Sequence, residues 1–309
     1  MENDSSVVSV FGATGLMGQN IVRMLHSEGY RIRIFARDLS KSRNLFPEIS
    51  DHVLWNYANE GWKPSLAGTG AVINFSGAPI FRKWKGDYRK EIWNSRVEAT
   101  RQIVDAISKL EQKPSILING SAAGIYGYDS FDDSDVTESS PPGKDFWGDL
   151  VSAWEGEANR AENFGTRVVN IRTTVVLDRE SGALPQLVSV FRKGIGGPIS
   201  PGNQWFPWIH IEDEVGLVMF AMENDTVSGP INAGSPEVPR MEDFAHTLGE
   251  VMHKQSRVKI PLTVIRLMMG EVSNVLAKGK KVVPARALEL GYRFKFVKLR
   301  DALEDLLGH

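Results

Sequence analysis

The sequence predicts an α/β fold, a doubly wound parallel sheet with a smaller C-terminal α+β region that binds substrate. Three observations predict it. A short apolar run, Val7–Phe11, leads into a glycine turn, Gly12-Ala13-Thr14-Gly15-Leu16-Met17-Gly18, and then into helical spacing of Ile21, Val22 and Leu25. Strand-like and helix-like stretches then alternate through residue 172, the pattern that parallel strands with crossover helices require. The 309 residues are 42% hydrophobic and 24% charged, enough apolar material for a sizeable core and too much for disorder.

Glycine permits the tight turn at 12–18 and lets backbone N–H groups approach a pyrophosphate. The N-terminus of the following helix adds partial positive charge. The spacing G-x-x-G-x-x-G is a variant of the dinucleotide fingerprint, so Gly12, Thr14, Gly15, Leu16, Met17 and Gly18 are candidate cofactor-binding residues. Gly29 closes the helix as its C-cap. Residues 30–36 alternate as a second strand, and Arg37 stands at its end, 19 residues after Gly18. An acidic residue near this place holds ribose hydroxyls, whereas arginine can pair with a 2′-phosphate and so select NADP(H). Asp38 follows directly, so the acidic alternative stands beside it. Residues 52–55 and 71–75 read as the third and fourth strands. The fourth leaves through Phe75, Ser76, Gly77 and Ala78, small enough after Phe75 to let a cofactor approach the backbone. Residues 83–110 read as mostly helical, with Ile92, Arg96, Ala99 and Ile103 on one face and with Glu91 and Arg96 near the cofactor's path.

Residues 115–119 form a fifth strand, followed by the small-residue stretch 120–127. An open sheet presents its chemistry at the C-terminal ends of its strands, which makes Ser121 and Tyr126 candidates for substrate contact. Residues 129–144 are polar and proline-bearing, a loop. Residues 146–162 return to helix on a stripe of Trp147, Leu150, Val151, Trp154, Ala158 and Ala161, which assigns Trp154 to the core. Residues 167–172 are the sixth strand. A helix at 182–191 precedes a Gly/Pro-rich loop at 194–208, whose Trp205, Phe206 and Trp208 suit the wall of a ligand site. His210 reads as structural, and Asp213 is the expected N-cap of a helix at 215–222. A strand at 230–233, helices at 242–252, 262–274 and 298–307, and a solvated basic turn at 278–281 complete the chain. The expected division is a nucleotide-binding domain at 1–178 and a substrate-binding region at 179–309.

The formal net charge is -2 with no long basic run, which disfavours nucleic acid as a partner. The absence of cysteine excludes disulfides, thiol catalysis and cysteine-ligated zinc, and no metal site is expected. The start, Met-Glu-Asn-Asp-Ser-Ser, lacks a signal-type apolar stretch, and no apolar run is long enough to span a bilayer. A cytoplasmic protein with no membrane partner is the expectation.

Several blocks together resemble one superfamily. They are the turn at 12–18, Ile73-Asn74-Phe75-Ser76-Gly77-Ala78, Ser95-Arg96-Val97-Glu98-Ala99-Thr100, residues 120–127 and Trp154-Glu155. Gly194-Ile195-Gly196-Gly197-Pro198, Trp208-Ile209-His210-Ile211 and residues 279–284 with Gly291-Tyr292 continue the match to the end of the chain. The sequence is similar to the extended short-chain dehydrogenase/reductase, or NAD-dependent epimerase/dehydratase, superfamily. Within it, it resembles the atypical epimerase-family branch that carries a C-terminal domain of unknown function and is called cell-division-inhibitor-like in some bacteria. The resemblance implies a Rossmann-type fold that binds NADP(H) at the glycine turn, Arg37, Phe75, Ser76, Glu91 and Arg96. The superfamily's usual catalytic pair is a tyrosine and a lysine four residues apart, and the helix at 146–162 contains neither. The expected function is therefore an NADP(H)-dependent oxidoreductase or epimerase whose substrate oxygen is polarised by Ser121, with Tyr126 as a second candidate and Glu155 and His210 behind them. The alternative is a protein that senses NADP(H) or binds a partner without catalysis.

Overall fold

The computed structural model describes residues 7–80, 84–128, 133–256, 258–263 and 277–308. In chain order the strands are β1 (Val7–Phe11), β2 (Arg31–Ala36), β3 (Asp51–Leu54), β4 (Thr69–Asn74), β5 (Ile116–Ala122), β6 (Asp135–Val136), β7 (Arg167–Thr173), β8 (Val175–Leu177), β9 (Trp208–His210), β10 (Gly229–Ala233) and β11 (Lys281–Val282). The helices are α1 (Leu16–Ser27), α2 (Leu39–Leu45), α3 (Tyr88–Asn94), α4 (Val97–Lys109), α5 (Phe146–Asn159), α6 (Leu184–Arg192), α7 (Ile211–Glu223), α8 (Met241–Val251), α9 (Ala285–Glu289) and α10 (Leu299–Leu307). Among the described residues, no helix is long and apolar enough to cross a membrane.

Seven strands make one sheet in the order β10-β7-β5-β4-β1-β2-β3, and every pairing is parallel. The order reverses beside β1, so the glycine turn sits at the crevice where a doubly wound sheet takes its ligand. Alternation sorts the strand side chains into two cores. Val10, Ile34, Ile73, Ile118 and Ile171 pack with Ile21, Val22 and Leu25 of α1 and with Val215 and Val218 of α7. Phe11, Phe35, Val72, Leu117 and Val168 pack with Ile103, Val104 and Ile107 of α4 and with Ala158 of α5. β1 is buried along its whole length because both of its faces are covered.

The helix expected over 83–110 is two helices, broken at Ser95-Arg96. The Ser95 hydroxyl donates to the Ile92 carbonyl and accepts from the Ala78 N–H, while Arg96 donates to the Ala78 carbonyl. The break therefore fixes the segment by which the chain leaves β4. The cap expected at Asp213 is supplied by His210, whose Nδ1 accepts the Glu212 N–H at 3.1 Å. Asp213 instead accepts N–H groups from Lys295 and Phe296, which ties the C-terminal segment to α7. The division at residue 178 is crossed by the sheet. β10 extends the sheet beside β7, and β11 pairs with β6. From residue 264, the helix expected at 262–274 lies outside the described residues.

Candidate functional site

Two adjoining concavities lie at the C-terminal ends of the strands. The first is a cleft of about 290 Å³ whose wall includes Gly12, Thr14, Gly15, Arg37, Phe75, Ser76 and Gly77. Gly12 has a φ of 80°, and a Cβ there would overlap the backbone of Phe75 and Ser76. Only glycine permits both the backbone conformation and that approach. Gly15, the N-cap of α1, is exposed, and a Cβ on it would meet only the Gly12 carbonyl at 3.4 Å. The space above Gly15 is therefore open on the cleft side. The first turn of α1 holds no acidic residue, so its N-terminal partial charge is unopposed from within the helix.

Sequence placed Gly18, Leu16 and Met17 with the cofactor, and in the structure all three also pack within the protein. Gly18 lies so close to the Gly12 carbonyl that a Cβ would overlap it, and Leu16 and Met17 pack against the larger core. They shape the turn from beneath. Glu91 is exposed on α3, outside the cleft wall. Arg96 lies with its guanidinium over Gly77 and 5.4 Å from the Trp154 ring centroid, and burial lowers its pKa to about 10. These two residues do not come together, because Arg96 spends its donors on backbone carbonyls.

At the adenosine end of such a cleft, Arg37, Asp38 and Lys41 line the wall with Trp55 and Tyr57. Asp38 turns its carboxylate into its own helix, where Oδ1 accepts the Lys41 N–H at 2.9 Å. Sequence left Asp38 as a rival to Arg37; the N-cap bond of α2 commits it elsewhere. Sequence reasoning missed Lys41. Its position four residues after Arg37, in the first turn of the next helix, was the available signal.

Ser121 and Tyr126 are drawn into a buried polar network. The Ser121 hydroxyl donates to Glu155 Oε1 at 2.6 Å, and Glu155 receives two bonds of 2.8 Å from Arg172. Arg172 also donates to the Tyr126 hydroxyl at 2.9 Å, which donates to Asn232 Oδ1 at 2.6 Å. β5 pairs with β7 so that Ser121 is opposite Arg172, which explains the meeting of these groups. Ser121 is 5% exposed and Tyr126 2% exposed. Burial pushes the Tyr126 pKa up to about 12. Both hydroxyls expected to meet a substrate are engaged in this network, bonded to a buried ion pair. Glu155 sits inside that pair, and His210 is buried and stacked on Phe296 at 3.8 Å. Burial lowers the His210 pKa.

The second concavity, about 100 Å³, begins where the first ends: Pro79 borders the cleft and Ile80 the cavity. Ala123, Tyr128, Trp147, Val175, Trp205 and Phe206 are among its walls. Tyr128 is held at its backbone by Asp145, whose Oδ2 accepts the Tyr128 N–H at 2.7 Å while Oδ1 caps α5. Burial raises the Tyr128 pKa, with the nearby Asp145 carboxylate adding to the shift, so the phenol stays protonated. Sequence reasoning passed over Tyr128, although it stands two residues beyond Tyr126 at the exit of the same stretch.

Comparison with known proteins places this geometry. The NAD dependent epimerase/dehydratase family matches residues 8–234, and a domain of unknown function, DUF1731, matches residues 260–306. The chain is 36% identical over 302 residues to the epimerase family protein SDR39U1 homolog, chloroplastic, of Arabidopsis thaliana, covering 97% of this chain and 86% of that protein. It is similar to the crystal structure of human epimerase family protein SDR39U1 (isoform 2) with NADPH, with a TM-score of 0.87 and 31% identity over 97% of this chain and 98% of the other. It is also similar to the nucleoside-diphosphate sugar epimerase from Corynebacterium glutamicum, with a TM-score of 0.79 and 25% identity over 99% of this chain and 59% of the other.

Proposed function

This chain belongs to the NAD dependent epimerase/dehydratase family, and we propose that it is an NADP(H)-dependent oxidoreductase or epimerase of the extended short-chain dehydrogenase/reductase type. The observation that carries the cofactor choice is the pair of cations, Arg37 and Lys41, beside a carboxylate one of whose oxygens is taken by the α2 cap. The backbone from Gly12 to Gly15 and the N-terminus of α1 would receive the pyrophosphate, and the two cations the 2′-phosphate. Phe75, Ser76 and Gly77 would wall the cleft toward the cavity. NADP(H) supplies hydride chemistry when bound. The residues of the chain then have three tasks: to hold the cofactor, to keep water from the apolar cavity, and to offer a hydrogen-bond donor to a substrate oxygen.

Tyr128 is the donor this reading assigns, in place of the helix-borne tyrosine that α5 lacks. Its raised pKa suits it to donate a hydrogen bond and not to act as a base. Ser121 acts at one remove, as a positioning residue that holds Glu155 and the end of β5. The reading is tested by titrating the protein with NADPH and NADH. NADPH should bind more tightly, and Arg37→Ala with Lys41→Ala should remove most of the difference. A charge-assisted contact contributes about 1.5–3 kcal/mol, so each change should weaken NADPH binding by roughly ten- to a hundredfold. Equal affinities in the unsubstituted protein would overturn it.

A further inference from the structure

The cavity beside the cleft has an unusual balance of donors and acceptors. Its described lining residues include no Asp or Glu. Two of its hydroxyls are already used: Thr173 donates to Glu214 at 2.5 Å and Thr174 to the Ala233 carbonyl at 2.8 Å. Lys280 reaches the Tyr126 carbonyl at 2.6 Å. Beside the Lys280 ammonium, the wall carries the Tyr128 hydroxyl and the indole groups of Trp147 and Trp205. Trp205 Nε1 is buried with no hydrogen-bond partner among the described residues. Its ring is held by the Arg240 guanidinium, 3.6 Å from the ring centroid, so the indole is fixed in place. A buried donor without an acceptor is costly, but Nε1 has no accessible surface for a ligand to meet, so Tyr128 is the donor that borders the space.

We propose that this cavity binds a small apolar carbonyl compound, an aldehyde or ketone on a single ring or a short branched chain, and not a sugar nucleotide. Its oxygen accepts a hydrogen bond from Tyr128, and its hydrocarbon part fills the space between Trp147, Val175 and Phe206. A sugar ring carries several hydroxyl donors, and the side chains of this wall offer them no carboxylate acceptor, so pairing them all is harder than pairing one carbonyl oxygen. The inference rests on the reading of cleft and cavity as cofactor and substrate sites.

The test uses the full chain, with and without NADP+, titrated by calorimetry with acetophenone, ethylbenzene and UDP-glucuronic acid. Acetophenone should bind, ethylbenzene should bind about two- to tenfold more weakly for want of the oxygen, and UDP-glucuronic acid should show no binding over the same range. Tyr128→Phe should abolish the difference between acetophenone and ethylbenzene. Gly124→Ala is a second probe: its added methyl would stand 3.7 Å from the Tyr128 hydroxyl and 3.6 Å from Trp147 Cβ, ordinary contacts that leave the fold intact while crowding the donor. Absence of acetophenone binding, tighter binding of UDP-glucuronic acid, or acetophenone binding unchanged in both variants would overturn the proposal. Failure of NADP+ to bind would overturn the cofactor reading alone, since the titrations of the unloaded protein still judge the cavity.

Discussion

Glu214 is a carboxyl on α7 with no exposed surface. One oxygen accepts from Thr173 and the other has no partner among the described residues. Burial raises its pKa from 4.5 to about 8. The folded state therefore holds a proton between those values that the unfolded chain has lost, and stability falls as pH rises through that window. The slope contributed is about 1.4 kcal/mol per pH unit at most, flattening above the folded pKa. Glu214→Gln should remove this slope and stabilise the protein at pH 8, as measured by denaturant unfolding at pH 5, 6.5 and 8. Glu155 is the opposite case, a carboxylate whose burial is matched by Arg172 at 2.8 Å. Glu155→Ala leaves the guanidinium buried without its counter-charge and should cost about 3–5 kcal/mol. Ser121→Ala removes one hydrogen bond from that group and should cost about 1 kcal/mol. Equal losses in these two variants, read from the same unfolding curves, would contradict the network described for them.

At the scale of elements, the turn between β1 and α1 separates two kinds of glycine. Gly15 faces open space, so Gly15→Val should fold normally and lose NADPH binding. Gly18 faces the Gly12 carbonyl, so Gly18→Ala should lower the melting temperature as well as affinity. Circular dichroism melts beside NADPH titrations check both outcomes. The N-cap of α5 has a double load, because Asp145 serves both the helix and the Tyr128 backbone. Asp145→Ala should cost about 1 kcal/mol as a lost cap, and it should also loosen the hold on Tyr128.

At the scale of the molecule, the parallel sheet needs both halves of the chain. β10 pairs with β7 along five residues, and Val215 and Val218 of α7 share the core of α1. Leu299, Leu303 and Leu306 of α10 join that same core. A fragment ending at 178 would expose the edge of β7 and the face that α7 covers, so it should not fold alone. The full chain should unfold in one cooperative transition, followed by far-ultraviolet circular dichroism and tryptophan fluorescence together. Two separated transitions would show that the halves are independent.

What the sequence by itself determined is the local and periodic part. The apolar β-branched runs specified β1, β2, β4, β5 and β7, the glycine spacing specified the turn, and strict alternation of strand and helix specified a parallel sheet. Arg37 was legible because it follows a strand that the turn had already placed. The tertiary structure decided where polar side chains spend their bonds. Ser121 and Tyr126 are far apart from Glu155, Arg172 and Asn232 in sequence, and strand pairing together with the packing of α5 on the sheet brings them together. Asp38, His210 and Asp213 each had more than one partner within reach of their chain positions, and packing chose among them. Tyr128 and Trp205 are separated by 77 positions of chain and meet in one cavity wall. Periodicity records which face of an element is buried; it carries no record of which distant group a buried hydroxyl or carboxylate will meet, because that is fixed by contacts between elements.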